Sequence, residues 1–369
     1  MIMPKRVLVQ GTGLIGTSVA LALRDKGTEV WLSDADPATA KLAADLGAGT
    51  VVPDLRDAKG IADIAVLAMP PAVVGRELAR AQECAVADVY TDVASVKVLP
   101  VSHARDLGCD LESYVPAHPL AGRERQGPAA AQADLFLGRT WALCPLPETA
   151  PGALDAVTGL AIACGADPVV TDPATHDSWV ALVSHAPHLV AVAMAARLAP
   201  SAVPADALKL AGQGLRDVTR IAAGDSALWT QILSANAGPI AEIVAEVAED
   251  LAAVARILGR LPQGSSVADA GANGVTGLLD RGRAGTARIP GKHGGLPRNF
   301  TVVQVVIADR PGELARLFNA AGAAGVNIED IRLEHSPGLP VGVAELSVRP
   351  DQAAVLLDAM EAGGWPVRR

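Results

Sequence analysis

The sequence predicts an α/β protein: a doubly wound parallel sheet, then an all-helical domain, then a small C-terminal α+β domain. Short apolar runs alternate with helical patterns over the first 172 residues, which is typical of a parallel sheet. Long segments with apolar residues every three or four positions follow, and a strand-helix-strand pattern restarts near residue 299. At 369 residues, the chain is longer than one hydrophobic core usually supports.

The first domain, residues 1–172, begins with a strand and a helix. The apolar run "RVLVQ" predicts a buried parallel strand, and "TSVALALRDKG" predicts the helix after it. Further strands are predicted at "EVWLSD", "IADIAVLAMP", "VADVYTDVAS", "RTWALCPL" and "DPVVTD". We expect all of these strands to belong to one sheet.

The second domain, residues 173–285, is predicted to be helical. Seven apolar residues form one stripe along its longest helical segment: Ile240, Ile243, Val244, Val247, Leu251, Val254 and Leu258. Such a stripe has to be buried, either inside the chain or against a partner subunit. A glycine-rich linker, residues 286–298, precedes the third domain, residues 299–369.

Composition narrows the class of protein. The net charge of -9, without a clustered basic patch, argues against a nucleic-acid surface. Four cysteines lie far apart in the sequence, which predicts neither disulfides nor metal pairs and fits the reducing cytoplasm. The N-terminus lacks the apolar core of a signal peptide. The apolar stretch "HLVAVAMAARLAP" is short and interrupted, so we expect no membrane span.

A glycine-rich turn follows the first strand and opens the first helix. It spans Gly11, Gly13, Leu14, Ile15 and Gly16 in the pattern G-x-G-x-x-G. In this context the pattern predicts a Rossmann-type site, where glycines let a pyrophosphate approach a helix N-terminus. Asp34, at the end of the second strand, would bind the ribose hydroxyls and repel a 2′-phosphate, which predicts NAD over NADP. The alternatives are a plain turn with a surface carboxylate, and Asp36 in place of Asp34.

Candidate substrate residues follow the predicted strands at the carboxyl edge of the sheet, where ligands of such folds bind. Ser95 and Lys97 follow one strand, and His118 lies in the next strand-end segment, "YVPAHPLAG". A histidine at this edge is a candidate general base, because its ordinary pKa lies near neutral pH. The alternative is a packed histidine.

The helical domain offers further polar residues. His176, His185 and His188 cluster around the start of one helix, but their spacing lacks a zinc signature, so we predict no metal. Arg216 and Arg220 lie four residues apart on one predicted helix face. They form either a clamp for a substrate carboxylate or a solvent-exposed surface.

Five motifs occur in order between Arg6 and about Arg260: "GTGLIGTS", "DVASVK", "HPLAGRERQG", "HDSWVALVSHAPHLVA" and "GLRDVTRIA". Together they resemble the prephenate/arogenate dehydrogenases of tyrosine biosynthesis. The last segment, with "IADRPGELARLF", looks like an ACT domain, a ferredoxin-like sensor of small molecules. The resemblance implies NAD-dependent oxidation and decarboxylation of prephenate, a homodimer formed through the helical domain, and feedback by tyrosine.

The resemblance also implies roles for single residues. His118 matches the catalytic histidine, and Ser95 matches the serine that hydrogen-bonds the substrate hydroxyl and this histidine. Glu124 matches an active-site acid. The remaining substrate-binding residues would be His176, His188, Arg220 and Arg216, the last where many members have Lys. Arg123 stands where the family often has a small residue, which leaves the choice between prephenate and arogenate open.

The C-terminal domain offers a candidate effector site. Gly312 is predicted at the turn from the first strand into a helix that begins near Glu313, and Asn327 at the start of the next strand. Such a turn lets a backbone approach a small ligand; the alternative is a domain that only packs or dimerises.

Two rival functions remain at this stage. One is another β-hydroxyacid or 6-phosphogluconate-type dehydrogenase, although that class normally needs a catalytic Lys in its helical part. The other is a sensor of NAD and amino acids without turnover.

Overall fold

The computed structural model describes residues 3–122, 125–199, 204, 206–261, 274–289, 300–335 and 340–368. The chain forms two compact units, Met1–Arg256 and Ile257–Arg369. The domain boundaries at residues 172, 285 and 298 stay predictions. Arg123 and Glu124 lie outside the described residues, as does most of the predicted linker.

The first unit is built around a six-stranded sheet in the order β3-β2-β1-β4-β5-β6, with every neighbouring pair parallel. Its strands are β1 (Arg6–Gln10), β2 (Glu29–Ser33), β3 (Thr50–Val51), β4 (Ala62–Leu67), β5 (Ala87–Asp92) and β6 (Tyr114–Val115). Its helices are α1 (Leu14–Arg24), α2 (Pro37–Asp45), α3 (Pro71–Glu83), α4 (Val98–Asp106) and α5 (Pro151–Ala163). The strand order reverses next to β1, at the point where such sheets bind ligands. The predicted fold class is confirmed.

Both faces of this sheet are covered. Successive residues of a strand point to opposite faces, so Val7 and Val9 join one buried cluster with residues of α1 and α5. Leu8 joins a second cluster with residues of α3 and α4. Burial on both faces explains why the strands read as continuous apolar runs in the sequence.

A separate three-stranded sheet holds His118 and corrects one prediction. Its strands are β7 (Ala117–Pro119), β8 (Thr140–Leu143) and β9 (Asp167–Val170). β7 is antiparallel to β8, and β8 is parallel to β9. We predicted that β8 and β9 would extend the main sheet, and this was wrong. Pro116, between β6 and β7, has no N–H to donate, and its carbonyl oxygen accepts from Cys144 N at 2.8 Å, next to β8.

The helical part of the first unit follows β9. It consists of α6 (Pro173–Val180), a π-helical turn (Ala181–His185), α7 (Ala186–Ala195), α8 (Gln213–Thr219), α9 (Ser226–Ala235) and α10 (Ala237–Leu258), the last two residues of which belong to the second unit. The apolar stripe lies on α10. Ile240 at its start is 4% exposed, but Leu251 remains 57% exposed. The stripe is therefore only partly covered by its own chain.

Within the described residues, the stretch Pro173–Leu198 is long and apolar enough to cross a membrane by length and composition alone. It nevertheless carries His176, Asp177, His185 and His188, all at most 5% exposed. The polar atoms of His176 and Asp177 bond residues of the sheet region. It is therefore a core helix of the fold.

The second unit contains a four-stranded antiparallel sheet in the order β11-β12-β10-β13. Its elements are α11 (Val275–Thr286), β10 (Thr301–Ala308), α12 (Glu313–Ala323), β11 (Asp330–His335), β12 (Val341–Val348), α13 (Ala353–Ala362) and β13 (Val367–Arg368). From β10 onward the chain has the β-α-β-β-α-β order of ferredoxin-like domains. The predicted α+β class of this segment is confirmed.

The two effector candidates of the second unit differ in outcome. Gly312 has φ of 87° and directly precedes α12, so it occupies the predicted turn in a conformation that favours glycine. Asn327 lies three residues before β11 and not at its start; its side chain donates to Glu329 Oε1 at 3.0 Å within the connecting loop.

Candidate active site

The glycine-rich turn has the geometry of a phosphate-binding loop. Gly11 has φ of 94°, and a Cβ there would lie 2.2 Å from the oxygen of Ala68. A Cβ on Gly16 would lie 1.9 Å from the oxygen of Gly11. A Cβ on Gly13, by contrast, would have no neighbouring atom within 4 Å, and Gly13 precedes α1 without a side-chain cap. The first N–H groups of α1 are thus open to an anion.

The two competing carboxylates at the end of β2 have different tasks. Asp34 accepts hydrogen bonds from the N–H and hydroxyl of Thr12, at 2.6 and 2.9 Å. Asp36 caps α2, accepting from Ala38 N at 3.0 Å and from Thr39 Oγ1 at 2.7 Å. Asp36 caps its own helix, whereas Asp34 borders the cavity beside the glycine-rich turn, which favours Asp34 as the predicted ribose ligand.

A cavity of about 620 Å³ adjoins this loop. Gly11, Gly13 and Asp34 line one side, and apolar residues including Leu55 and Val73 line another. Backbone N–H groups for a pyrophosphate, a carboxylate for a ribose and an apolar compartment for a base therefore occur together. These residues fit a dinucleotide.

His118 lies in β7, half-buried at the edge of the second sheet. Its Nδ1 is 3.0 Å from Nε2 of His176, and the rings meet edge-on at a centroid distance of 5.2 Å. Burial holds the pKa of His118 well below its usual value, and nearby His176 and Lys97 lower this pKa further. His118 is consequently neutral near pH 7 and able to accept a proton.

The second ring nitrogen of His176 continues this chain of hydrogen bonds. His176 Nδ1 lies 2.8 Å from Asp177 Oδ1. Asp177 also accepts from the backbone N–H groups of Lys97, at 2.7 Å, and Val98, at 2.9 Å. His176 and Asp177 are each 2% exposed. The helical part thus contacts both His118 and the start of α4.

A buried ion pair supports the strand end that carries His118. The Lys97 ammonium contacts Asp92 Oδ1 and donates to the carbonyl oxygen of Ala117 at 2.5 Å. Tyr114 donates its hydroxyl hydrogen to Asp92 Oδ2 at 2.7 Å. Lys97 and Asp92 are both fully buried. Since Ala117 directly precedes His118, this pair fixes the backbone at the candidate base.

Ser95 lies half-buried in the loop between β5 and α4, two residues before Lys97. The resemblance implied a hydrogen bond from Ser95 to the catalytic histidine. The structure instead pairs Nδ1 of His118 with His176, so the role of Ser95 stays a prediction.

His188 and His185 lie beside one aromatic ring. The His188 ring stacks on Trp229 with centroids 3.4 Å apart and an angle of 6°, and burial lowers the pKa of His188. His185 meets the same Trp229 edge-on, and burial lowers the pKa of His185 to about 4. Asn236 donates to the backbone oxygen of Asp177 at 2.8 Å and lies 3.2 Å from His185 Nδ1.

The predicted arginine pair lies at the C-terminal end of α8. α8 ends at Thr219, and Arg220 begins a 3₁₀ turn that ends at Ala223. Arg220 nevertheless has helical dihedral angles, and its N–H donates to Arg216 O, so the two arginines lie one helical turn apart; both are exposed. Arg220 directly precedes Ile221, whose backbone hydrogen-bonds His188. This places Arg220, but not Arg216, next to a residue that contacts the histidine cluster.

Sequence reasoning missed three residues of the site: Asp177, Trp229 and Asn236. The pair His176-Asp177 was visible as an acid beside a histidine, a common orienting partner. Trp229 and Asn236 gave no local signal, because each reaches the site from α9 or its end. In the described part of the chain, no three His, Cys, Asp or Glu side chains group as a metal site would need.

Comparison with known proteins adds two family profiles. Residues 19–170 match the profile described as prephenate dehydrogenase, nucleotide-binding domain. Residues 172–263 match the profile described as prephenate dehydrogenase, dimerization domain.

Individual relatives extend this likeness. The chain is 37% identical to the probable prephenate dehydrogenase NovF of Streptomyces niveus over 98% of its own length and 99% of the relative. A prephenate dehydrogenase structure from A. aeolicus, in complex with hydroxyphenyl propionate and NAD⁺, is 26% identical with a TM-score of 0.66, over 78% of this chain and 98% of that one. A Synechocystis arogenate dehydrogenase structure is 26% identical with a TM-score of 0.61, over 76% and 98%.

Proposed function

The chain belongs to the prephenate dehydrogenase family, and we propose that it converts prephenate to 4-hydroxyphenylpyruvate with NAD, as a step of tyrosine biosynthesis. The observation that carries this proposal is His118, which is hydrogen-bonded to His176 at 3.0 Å and lies in the same unit as a loop that fits a dinucleotide. A neutral imidazole is the group that oxidation of an alcohol requires, because the hydroxyl proton must leave as the hydride does.

We assign the proton transfer and the binding of the substrate to different residues. NAD⁺, when bound, accepts the hydride from the carbinol carbon of prephenate. Nε2 of His118 accepts the hydroxyl proton as the C=O bond forms. The ring carboxylate then leaves as CO₂, its bonding electrons make the ring aromatic, and the phenolate oxygen takes the proton back from His118. No net proton is released, and loss of CO₂ makes the reaction irreversible.

Prephenate is a dianion, so its site needs positive charge. We assign the substrate carboxylates to Arg220, with Arg216 as a second cation near the entrance, since guanidinium binds carboxylates in a fork. His188 and His176 would line the pocket, and Ser95 would hydrogen-bond the substrate hydroxyl. Arg220 is exposed at the protein surface, where a substrate carboxylate can reach its guanidinium.

An alternative substrate is arogenate, which carries an amino group where prephenate has a keto group. The likeness to an arogenate dehydrogenase structure keeps this alternative open, and Arg123 and Glu124 are the residues we expect to influence the choice. The test is NADH formation, followed by absorbance, with prephenate and arogenate and with NAD and NADP. Turnover of arogenate alone would replace our substrate, and no turnover of either would end the proposal.

We further propose that the C-terminal unit is an ACT domain that binds tyrosine and lowers activity. Its β-α-β-β-α-β order and the left-handed Gly312 before α12 support this, with Asn327 as a second ligand contact. Inhibition requires different affinities for a more and a less active arrangement. A chain truncated near Gly291 should lose inhibition that the full chain shows in a tyrosine titration. Equal responses would place tyrosine at the active site as a product-like inhibitor.

The α10 stripe supports a homodimer. Leu251 is 57% exposed in the single chain, and α10 lies within the segment that matches a dimerization domain. Leu251→Arg should convert a dimer to a monomer in light scattering after gel filtration. A wild-type monomer would contradict the proposal. All four cysteines are free, which supports a cytoplasmic location, where thiols stay reduced.

A further inference from the structure

The first turn of α4 is capped from another part of the fold. Lys97 at its N-cap position makes no side-chain cap. Instead Asp177, eighty residues later on α6, accepts from Lys97 N at 2.7 Å and from Val98 N at 2.9 Å. The loop that carries Ser95 is thereby fixed to the helix that carries His176.

The hydrogen-bond partners of Asp177 determine which ring nitrogen of His176 carries the proton. Backbone N–H groups can only donate, so Asp177 must face Lys97 and Val98 with acceptor oxygens. Asp177 Oδ1 then also requires a donor from His176 Nδ1, 2.8 Å away. The proton of neutral His176 is therefore on Nδ1, and Nε2 carries the lone pair.

This pattern passes to His118. Because His176 Nε2 presents a lone pair, His118 Nδ1 at 3.0 Å must donate, and Nε2 of His118 is left as the acceptor. We propose that Asp177 is a positioning residue, which sets the tautomers of His176 and His118 while it ties the Ser95 loop to the helical part of the enzyme. The assignment rests on the proposed role of His118 as the proton acceptor.

Asp177→Asn separates this role from simple capping. An amide has one oxygen, and three donors surround the side chain. If that oxygen faces Val98, the amide nitrogen opposes the N–H of Lys97 and donates to His176 Nδ1, so His176 must move its proton to Nε2. His118 must then place its own proton on Nε2, where it cannot accept one from the substrate. If the oxygen instead faces His176 and Lys97, the amide nitrogen opposes the N–H of Val98.

The matched control is Asp172→Asn. Asp172 caps α6 by accepting from Ala174 N and Thr175 N, both at 3.0 Å, and Asn is an equally good cap residue. We expect Asp172→Asn to keep kcat within about twofold. We expect Asp177→Asn to lower kcat by about 10²-fold or more, with the Kd for NAD, measured by calorimetry, within about threefold of the wild type. Asp177→Glu, which keeps the carboxylate, should have a kcat at least tenfold higher than that of Asp177→Asn.

Tautomers are read directly from ¹⁵N NMR spectra of histidine-labelled protein, with signals assigned through His118→Asn and His176→Asn. In the wild type we expect the proton on Nδ1 of both rings, and in Asp177→Asn a larger population with the proton on Nε2. A wild-type Nε2–H form of either ring would overturn the inference, as would equal kcat in the two Asn variants. The NMR measurement does not require turnover. A wild type that is inactive on prephenate would therefore contradict the proposed function but not the role of Asp177.

Discussion

Alanine substitutions at two glycines of the nucleotide loop, Gly16 and Gly13, should have different effects on stability, because the surroundings of the two residues differ. A methyl group on Gly16 would lie 1.9 Å from the oxygen of Gly11 and 2.9 Å from Cβ of Ala68. Ordinary contact begins near 3.4 Å, so the start of α1 would have to move by roughly 1.5 Å away from a backbone atom. Forced overpacking of this kind costs about 1–3 kcal/mol. We expect Gly16→Ala to lower the free energy of unfolding by that amount and to weaken NAD binding as well.

Gly13→Ala is the matched comparison. Its methyl group would meet no protein atom within 4 Å, and φ of -69° at this position suits alanine. The folded protein should therefore be as stable as the wild type. The methyl group would, however, occupy the space that a bound pyrophosphate needs. NAD affinity should fall at least tenfold while stability is unchanged.

Urea unfolding and calorimetric titration with NAD measure the two quantities for both variants. The slope of the unfolding curve must stay constant for the stability comparison to hold. If Gly13→Ala bound NAD with wild-type affinity, the pyrophosphate would not approach this loop as we infer. If Gly16→Ala were as stable as the wild type, the tight packing of α1 on the loop would be refuted.

The remaining predictions concern side chains. His118→Asn should lower kcat by about 10² to 10⁴ and keep NAD binding; near-normal turnover would end its assignment as the base. Arg220→Ala should cost about 1.5–3 kcal/mol of substrate binding, seen as a higher KM for prephenate at an unchanged Kd for NAD, whereas an unchanged KM would favour an exposed surface residue. Asp34→Asn should lower the affinity for NAD and reduce the preference for NAD over NADP. A wild type that prefers NADP would contradict this assignment. His185, whose pKa burial lowers from 6.5 to about 4, binds its proton more weakly in the folded state, so it stabilises fully above pH 6.5 and this contribution is lost as pH falls toward 4. His185→Gln should flatten the stability curve in that window, and an unchanged curve would assign the effect elsewhere.

Local patterns were sufficient for much of the nucleotide-binding half. The strand before Gly11 and the helix after it are each specified by a few neighbouring residues, so their positions follow from the sequence. The capping role of Asp36 became visible only in the structure, and Asp34 stays the predicted ribose ligand.

Contacts between distant residues could not be predicted in the same way. The hydrogen bonds of Asp177 to Lys97 and Val98 join segments eighty residues apart, and nothing in either segment indicates the other. The separate sheet of β7, β8 and β9 was missed for a related reason. A short apolar run predicts a strand but carries no information about which strand it pairs with.

The π-helical turn at Ala181–His185 has a consequence for insertions and deletions. His176 and His185 are nine positions apart, which in a regular α-helix is about 2.5 turns and would put them on opposite faces. A π turn takes about one more residue than an α turn, which brings His185 back toward the side of His176, and both are 2% exposed. The π turn therefore contains one residue more than is needed to keep His176 and His185 on similar sides of the helix. Removing Val183, which is 65% exposed, would restore regular winding and keep both imidazoles inward. The segment between Pro173 and His176 is regular α-helix and contains no extra residue. Removing a residue there would rotate His176 away from its present side, so we expect a deletion to be tolerated at the π turn and not in this segment.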